Sequence, residues 1–316
     1  MLRVEVRRGE FAESVHAVRS CAVRLDGTMV GQASVGDAEW KLFLRSAAKP
    51  FQAAPAVAAG VLDDLGLTDR HLAVACASHN GSPAPVRLVR EILSAARLDD
   101  FSVHTGDDGQ GGLVKHQCSG NHALALAFCV VAGWPTDGYL DRDHPVQQAM
   151  NAAVASACGV EPELAADNCG MTTHRVSLAA MALAFARLGI GWDGVAGLDR
   201  VAEAMRSHPY VVRQRGEIDS ELIARSQKRL VAKVAAEAGV GVGTADGIGL
   251  AVRIVDGSPR AWAPATMAAV DRWIGRNHDD PVFEELASPI VRDGAARPIG
   301  SMVAVWGDDG SPGEGI

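Results

Sequence analysis

Hydrophobic positions along this chain follow two different periods, and their order outlines an architecture. At Val4 to Val6, Ser14 to Arg24, Met29 to Ala33 and Trp40 to Leu44 the runs read as strands. Asp26-Gly27, between two of these runs, demands positive φ and marks a hairpin. From Ser46 to Gly60 the pattern becomes helical. Leu72 to Ala77 is a buried segment too short for its period to decide between strand and helix, and it ends at Ser78-His79-Asn80-Gly81. Pro83 to Ala96 is predicted helical with Leu88, Ile92, Leu93 and Ala96 inward. Gln117 to Gly120 is a loop opening an apolar helix over 122–132. Pro145 to Cys158, Val176 to Leu188 and Leu198 to Met205 are further helices, with a loop over Ala165 to Thr172.

Strand character returns from Leu230 to Asp256, where Gly239, Gly241, Gly243, Asp246-Gly247 and Asp256-Gly257 are read as turn signals. Gly-Val-Gly-Val-Gly is not a nucleotide loop, because no helix follows it and no acid lies at the required spacing. Pro264 to Ile274 is a last helix, Met302 to Trp306 a last strand, and 307–316 a mobile tail. Strands at both ends with helices between predict an α+β domain whose sheet joins the two termini under a helical block. No linker separates two halves, so residues 1–316 read as one domain with two lobes.

Composition narrows the partners. Apolar residues make up 48% of the chain and aromatics only 5%, so the interior is expected to be built from small residues in close approach. A formal net charge of −8 without a basic stripe argues against nucleic acid and anionic membranes, and leaves small solutes. The longest apolar run, Ala123 to Ala132, is too short to span a bilayer, and the charged start MLRVEVRRGE lacks the core of a signal peptide; a cytoplasmic location is expected. Six cysteines include no C-x-x-C pair, and Cys76, Cys129 and Cys158 read as core residues.

The candidate chemistry begins at Arg45-Ser46-Ala47-Ala48-Lys49-Pro50. Positions i and i+3 share a helix face, so Lys49 can reach the Ser46 hydroxyl, and a desolvated lysine can act as its base. Pro50 belongs in a first helical turn, which puts the helix start at or just before Ser46. The plain alternative is a capping serine beside a solvated lysine. Three more polar segments adjoin apolar elements: Ser78-His79-Asn80-Gly81, Cys118-Ser119-Gly120-Asn121-His122 and Asp167-Asn168-Cys169-Gly170-Met171. Lys233 sits inside the apolar run 231–236. Singly these have ordinary readings: a structural histidine at His79, small buried cysteines at Cys118 and Cys169, an edge lysine at Lys233.

Together and in this order, RSAAKPFQA (45–53), ASHNG (77–81), CSGNHA (118–123), DRDHPVQ (141–147), DNCGM (167–171), HP (208–209), KVAAE (233–237) and IGLAVRIVDGSPRA (248–261) resemble the bacterial L-asparaginase II family of the thermolabile rhizobial type. The resemblance implies a serine β-lactamase and penicillin-binding-enzyme-like fold, a homodimer, and hydrolysis of the side-chain amide of L-asparagine. Ser46 with Lys49 and Ser78 with Lys233 then correspond to two Ser–Lys pairs, and Asp167 to a substrate contact. Arg45, His79, Asn80, Gly81, Asn121, Asn168 and Gly170 are further candidates for holding a small amide substrate. Cys118 and Cys169 match two zinc ligands of the family. The third, a lysine, is replaced by Asn121, an amide that suits zinc poorly; the reading requires no cofactor and leaves a zinc ion open. Asn168 replaces a glycine, Pro85 a histidine, and Glu217 an arginine. These departures keep two alternatives open: a relative acting on another amide or ester, or transferring the acyl group to an amine; and a non-catalytic amino-acid-binding protein.

Overall fold

Alternation at the two ends of the chain resolves into one antiparallel sheet. The computed structural model describes residues 1–106, 111–276 and 279–307; the tail expected over 307–316 lies, from 308 on, outside the described residues. The strands are β1 (Leu2–Arg8), β2 (Phe11–Arg24), β3 (Met29–Gln32), β4 (Lys41–Phe43), β5 (Glu163–Ala166), β6 (Thr172–Ser177), β7 (Leu230–Ala235), β8 (Gly239–Thr244), β9 (Ile248–Ile254), β10 (Ile290–Arg292) and β11 (Pro298–Trp306). The main sheet runs β10-β11-β1-β2-β9-β8-β7, with β3 also paired to β2. β1 lies between β2 and β11, with Leu2 opposite Trp306, so the first and last strands are neighbours. Together with the helices this is the α+β arrangement that the pattern and the resemblance imply. Among the described residues no helix is long and apolar enough to cross a membrane.

Glycine decides how closely the helical block meets the sheet. Gly241 and Gly243 do not turn the chain; they are interior residues of β8, which pairs with β7 and β9. Their missing side chains seat the helix Leu178–Ile190. A Cβ on Gly243 would lie 1.9 Å from the Phe185 carbonyl oxygen, and one on Gly249 would lie 1.8 Å from that of Ala182. Val240, Val242, Leu250 and Val252 alternate with these glycines and are fully buried, and the helix Trp262–Trp273 packs on β9, β11 and β1.

Helix Lys49–Ala58 is central to the block, touching Pro145–Cys158, Leu198–Ser207 and Ser119–Ala132. Its Phe51 ring meets Phe185 edge to face, with centroids 5.6 Å apart. Phe185 in turn covers Gly241, where a Cβ would fall 2.1 Å from the ring.

Several elements differ from the sequence pattern. Leu72 to Ala77, left open between strand and helix, resolves as the end of a helix, Asp69–Ala75, with Cys76 as its C-cap. The segment after Cys118 is not a loop: Cys118 caps the helix Ser119–Ala132, and Gly120 allows it to cross Val74, whose carbonyl oxygen is 2.2 Å from a built Cβ. Ala165 to Thr172 is the end of a hairpin, β5 and β6, with β4 completing a three-stranded second sheet. Val176 lies in β6, and Ser177 caps the following helix by accepting from the Ala180 N–H. A helix at Ile218–Arg225, not anticipated by the pattern, packs on β7.

Overpacking at the helix seat is expected to be costly. Gly249→Ala should lower the free energy of unfolding by about 2 kcal/mol or more, whereas Gly294→Ala, with nothing near its Cβ, should change it by less than about 0.5 kcal/mol. Urea unfolding followed by circular dichroism compares the two.

Candidate active site

Ser46 is presented by a strained turn. Arg45 has a φ of +47°, in the left-handed region that disfavours a side chain, at a cost on the order of 1 kcal/mol. Tertiary contacts hold it there. The Arg45 N–H donates to Thr173 Oγ1 at 3.1 Å, and the guanidinium engages Asp167 Oδ1 through Nε at 2.9 Å and Nη2 at 2.8 Å. Arg45–Ala48 forms a 3₁₀ turn, and the α-helix begins only at Lys49, with Pro50 in its first turn. Lys49 turns inward. Its Nζ donates to Ala77 O at 2.6 Å and lies 3.4 Å from both Gln117 O and Ser78 Oγ. Among the described residues Ser46 Oγ has no hydrogen-bond partner, so the spacing that suggested a Ser46–Lys49 contact does not produce one in this state.

Ser78 is where the two lysines meet. Its hydroxyl is 3.0 Å from Lys233 Nζ, which comes from the middle of β7 and is fully buried. Lys233 also lies 3.4 Å from Asp219 Oδ2, and the same carboxylate oxygen accepts the Val234 N–H at 3.2 Å. Burial is the main cause that pushes the Lys233 amine down to about 8; Asp219 opposes it and the Lys49 charge reinforces it. Two ammonium groups sharing one hydroxyl would repel by about 3 kcal/mol at an effective dielectric constant near 20. That repulsion is part of what brings Lys233 closer to losing its proton as pH rises towards 8.

A cavity of about 290 Å³ opens in front of these groups. Arg45, Ser46, Ser78, Cys118, Asp167, Asn168 and Cys169 all line it, drawn from three of the predicted polar segments and the Ser46 turn. Lys49 and Lys233 stand behind the serines, buried. Gly170 has a φ of +88° and closes the turn that aims Asp167, whose own N–H and carbonyl bond to Met171 O and Gly170 N. The other candidates lie off this wall. His79 and Asn80 line a neighbouring hollow of about 130 Å³ with Pro85, and Gly81 faces a separate surface groove. His79 Nδ1 accepts the Gly81 N–H, which assigns the proton to Nε2 and makes it a donor to Ser119 Oγ at 2.9 Å. Asn121 is buried in the helix after Cys118.

Sequence reading passed over three participants. Asp219 was legible in principle, since a lysine inside an apolar strand requires a buried counter-charge. Arg213 and Trp262 also line the cavity and had no motif to announce them.

Zinc was tested against the donor set. Hydrogen bonding from Cys169, the Lys49 charge and His116 hold the Cys118 thiol well below its usual range despite burial, and the contact with Cys118 together with burial pushes Cys169 up. The third position is a buried amide, whose Asn121 Nδ2 has no partner, and among the described residues no three His, Cys, Asp or Glu side chains converge as a metal site. This set does not fit a zinc ion that prefers three or four thiolate, imidazole or carboxylate ligands.

Fold and site together define a class: an α+β protein in which two lysine amines stand behind the serine hydroxyls of a polar pocket. The chain belongs to the L-asparaginase II family, whose model matches residues 4–304. Some solved structures show a distant overall likeness. One is a protein named Mglu in its native form, at 12% identity and a TM-score of 0.47, covering 83% of this chain and 66% of that one. A Bacillus glutaminase has 12% identity and a TM-score of 0.46, covering 81% of this chain and 90% of that chain. A probable glutaminase, ybaS, has 14% identity and a TM-score of 0.46, covering 83% and 87%. The chain thus spans just under two thirds of the length of Mglu. A comparison with curated proteins returns no match.

Lys233 makes stability depend on pH with a definite sign. Its amine titrates near 8 when folded and near 10.4 when unfolded, so between those values the unfolded chain binds more protons and stability rises with pH. Wild type should gain on the order of 3 kcal/mol across pH 8 to 10.5 relative to Lys233→Met, which removes the titrating group. Urea midpoints of both proteins at pH 7.5, 9 and 10.5 test this.

Proposed function

We propose that this protein is an amidohydrolase that cleaves the side-chain amide of L-asparagine to aspartate and ammonia through an acyl-enzyme on Ser46. The observation that carries the reading is convergence: two hydroxyls from separate segments share one small cavity, and two lysine amines meet at one of them, Ser78. A cavity of about 290 Å³ suits a ligand of amino-acid size.

Ser46 is the better placed nucleophile because it is half-buried and its hydroxyl has no hydrogen-bond partner among the described residues, whereas Ser78 is only 5% exposed and bound to amines. In the proposed reaction Ser46 Oγ attacks the amide carbon and its proton passes to the Lys49 amine, one helical turn away, while Lys49 hands a proton through Ser78 to neutral Lys233. The C–N bond breaks as that proton, delivered from the ammonium, accompanies the amide nitrogen out as ammonia. Water then attacks the ester carbonyl, loses its proton to the amine, and releases aspartate and the serine hydroxyl. Ser78 can pass a proton between Lys49 and Lys233, and Asp219 fixes the second amine. The contacts between Lys49 and Ala77 O and Ser78 belong to the resting state, and the base role requires the amine to tilt toward Ser46.

A second reading makes Ser78 the nucleophile, favoured by its two amine contacts at 3.0 and 3.4 Å. A homodimer and a cytoplasmic location complete the proposal.

Ammonia release from asparagine and a panel of other amides, combined with mass spectrometry of rapidly quenched enzyme, separates these readings. Ser46→Ala should lower kcat at least about 1,000-fold and abolish the adduct, while binding persists. An adduct on Ser78 would transfer the nucleophile's role to that residue. Hydrolysis of another amide with asparagine untouched would overturn the substrate, and tight binding without product on long incubation would indicate a sensor. As neutral Lys233 accumulates, kcat/KM should rise with an apparent midpoint near pH 8 and level off above it.

A further inference from the structure

We propose that Arg213 is the carboxylate anchor of this cavity, selecting amides that carry a free carboxylate beside the scissile group. The inference rests on the amidohydrolase reading and names its substrate class.

Arg213 follows the short helix Pro209–Val212 with extended backbone, and its side chain, 16% exposed, lies in the wall between the neighbouring hollow and the cavity lined by Ser46 and Ser78. Its head is positioned from three directions. Nε lies 3.0 Å from Glu217 Oε2 and 3.9 Å from Asp219 Oδ1, and Cζ lies 5.6 Å from the centre of the Trp262 ring. All of these contacts use the inner edge or the face of the guanidinium. Nη1 and Nη2 have no hydrogen-bond partner among the described residues and, unlike Nε, are not sealed from solvent.

No other cation of the wall is available in this way. Arg45 is engaged by Asp167 through both Nε and Nη2, and Lys49 and Lys233 are buried behind the serines. Arg213 therefore offers the one open fork among the described cations of the cavity, and a planar fork matches a carboxylate in two parallel hydrogen bonds. Glu217 and Asp219 face Arg213 and Lys233, so the anchor's own charge is held in an ion-paired wall before a ligand enters. The sequence adds a particular of this chain. Glu217 occupies the position where the resembling family has an arginine, and here its carboxylate holds a guanidinium that comes from four residues upstream.

The test compares L-asparagine with its α-methyl ester, which keeps the side-chain amide and lacks the carboxylate, using ammonia release by the full-length protein. Wild type should favour the free acid. Arg213→Met should lower kcat/KM for asparagine about 100-fold, mainly through KM, while leaving the ester within about threefold, and Arg213→Lys should recover part of the loss. Calorimetric binding of L-aspartate should weaken in parallel, a readout that does not require turnover. A folded Arg213→Met with wild-type KM for asparagine and unchanged aspartate affinity, or with equal losses on acid and ester, would overturn the proposal. A wild type that releases ammonia from neither compound yet loses aspartate binding on substitution would sink the amidohydrolase reading and leave the anchor standing.

Discussion

The site depends on the absence of one side chain. Gly241 pairs with Lys233 across β8 and β7, and the Phe185 ring rests where its Cβ would be. Phe185 also meets Phe51, which lies two residues beyond Lys49. A single line of contacts thus runs from the strand that carries one lysine to the helix that carries the other. The 3.0 and 3.4 Å approaches to the Ser78 hydroxyl follow from that spacing. A close-packed interior transmits small displacements, so the helix seat and the amine pair form one mechanical unit.

Electrostatics impose the complementary demand. A fully buried lysine is tolerated only with a partner, and Asp219 supplies it from the helix Ile218–Arg225, with Ser78 and a carbonyl filling the remaining positions. Desolvation keeps this amine near the point of losing its proton, a state useful to proton transfer and expensive for stability. The strained Arg45 turn is a second such cost, maintained by Asp167 and Thr173. Both costs fall at the cavity, while the well-packed sheet and helices around it carry the compensating burial.

Much of the fold was legible locally. The β2–β3 hairpin announced itself through Asp26-Gly27, and the helices over 83–95 and 145–158 through Pro at the start and a clear apolar face. Where the pattern failed, a competing influence can be named. Glycines 241 and 243 looked like punctuation because Gly is ambiguous between a bend and a close approach, and only the helix lying on β8 distinguishes the two. The CSGN segment looked like a loop because its polar residues are helical yet buried against neighbouring helices.

Sequence by itself determined which chemical groups this protein has: two serines, two lysines, two cysteines and an acid, in an order that belongs to one family, on a chain whose strands at either end must meet. Tertiary structure alone decided how they pair. It set Lys49 against Ser78, left the Ser46 hydroxyl without a partner among the described residues, brought Asp219 beside Lys233, and placed Arg213 in the cavity wall. The reason is range: a periodic pattern constrains residues within a turn or two, whereas an amine removed from water finds its partner wherever packing brings one within about 3 Å.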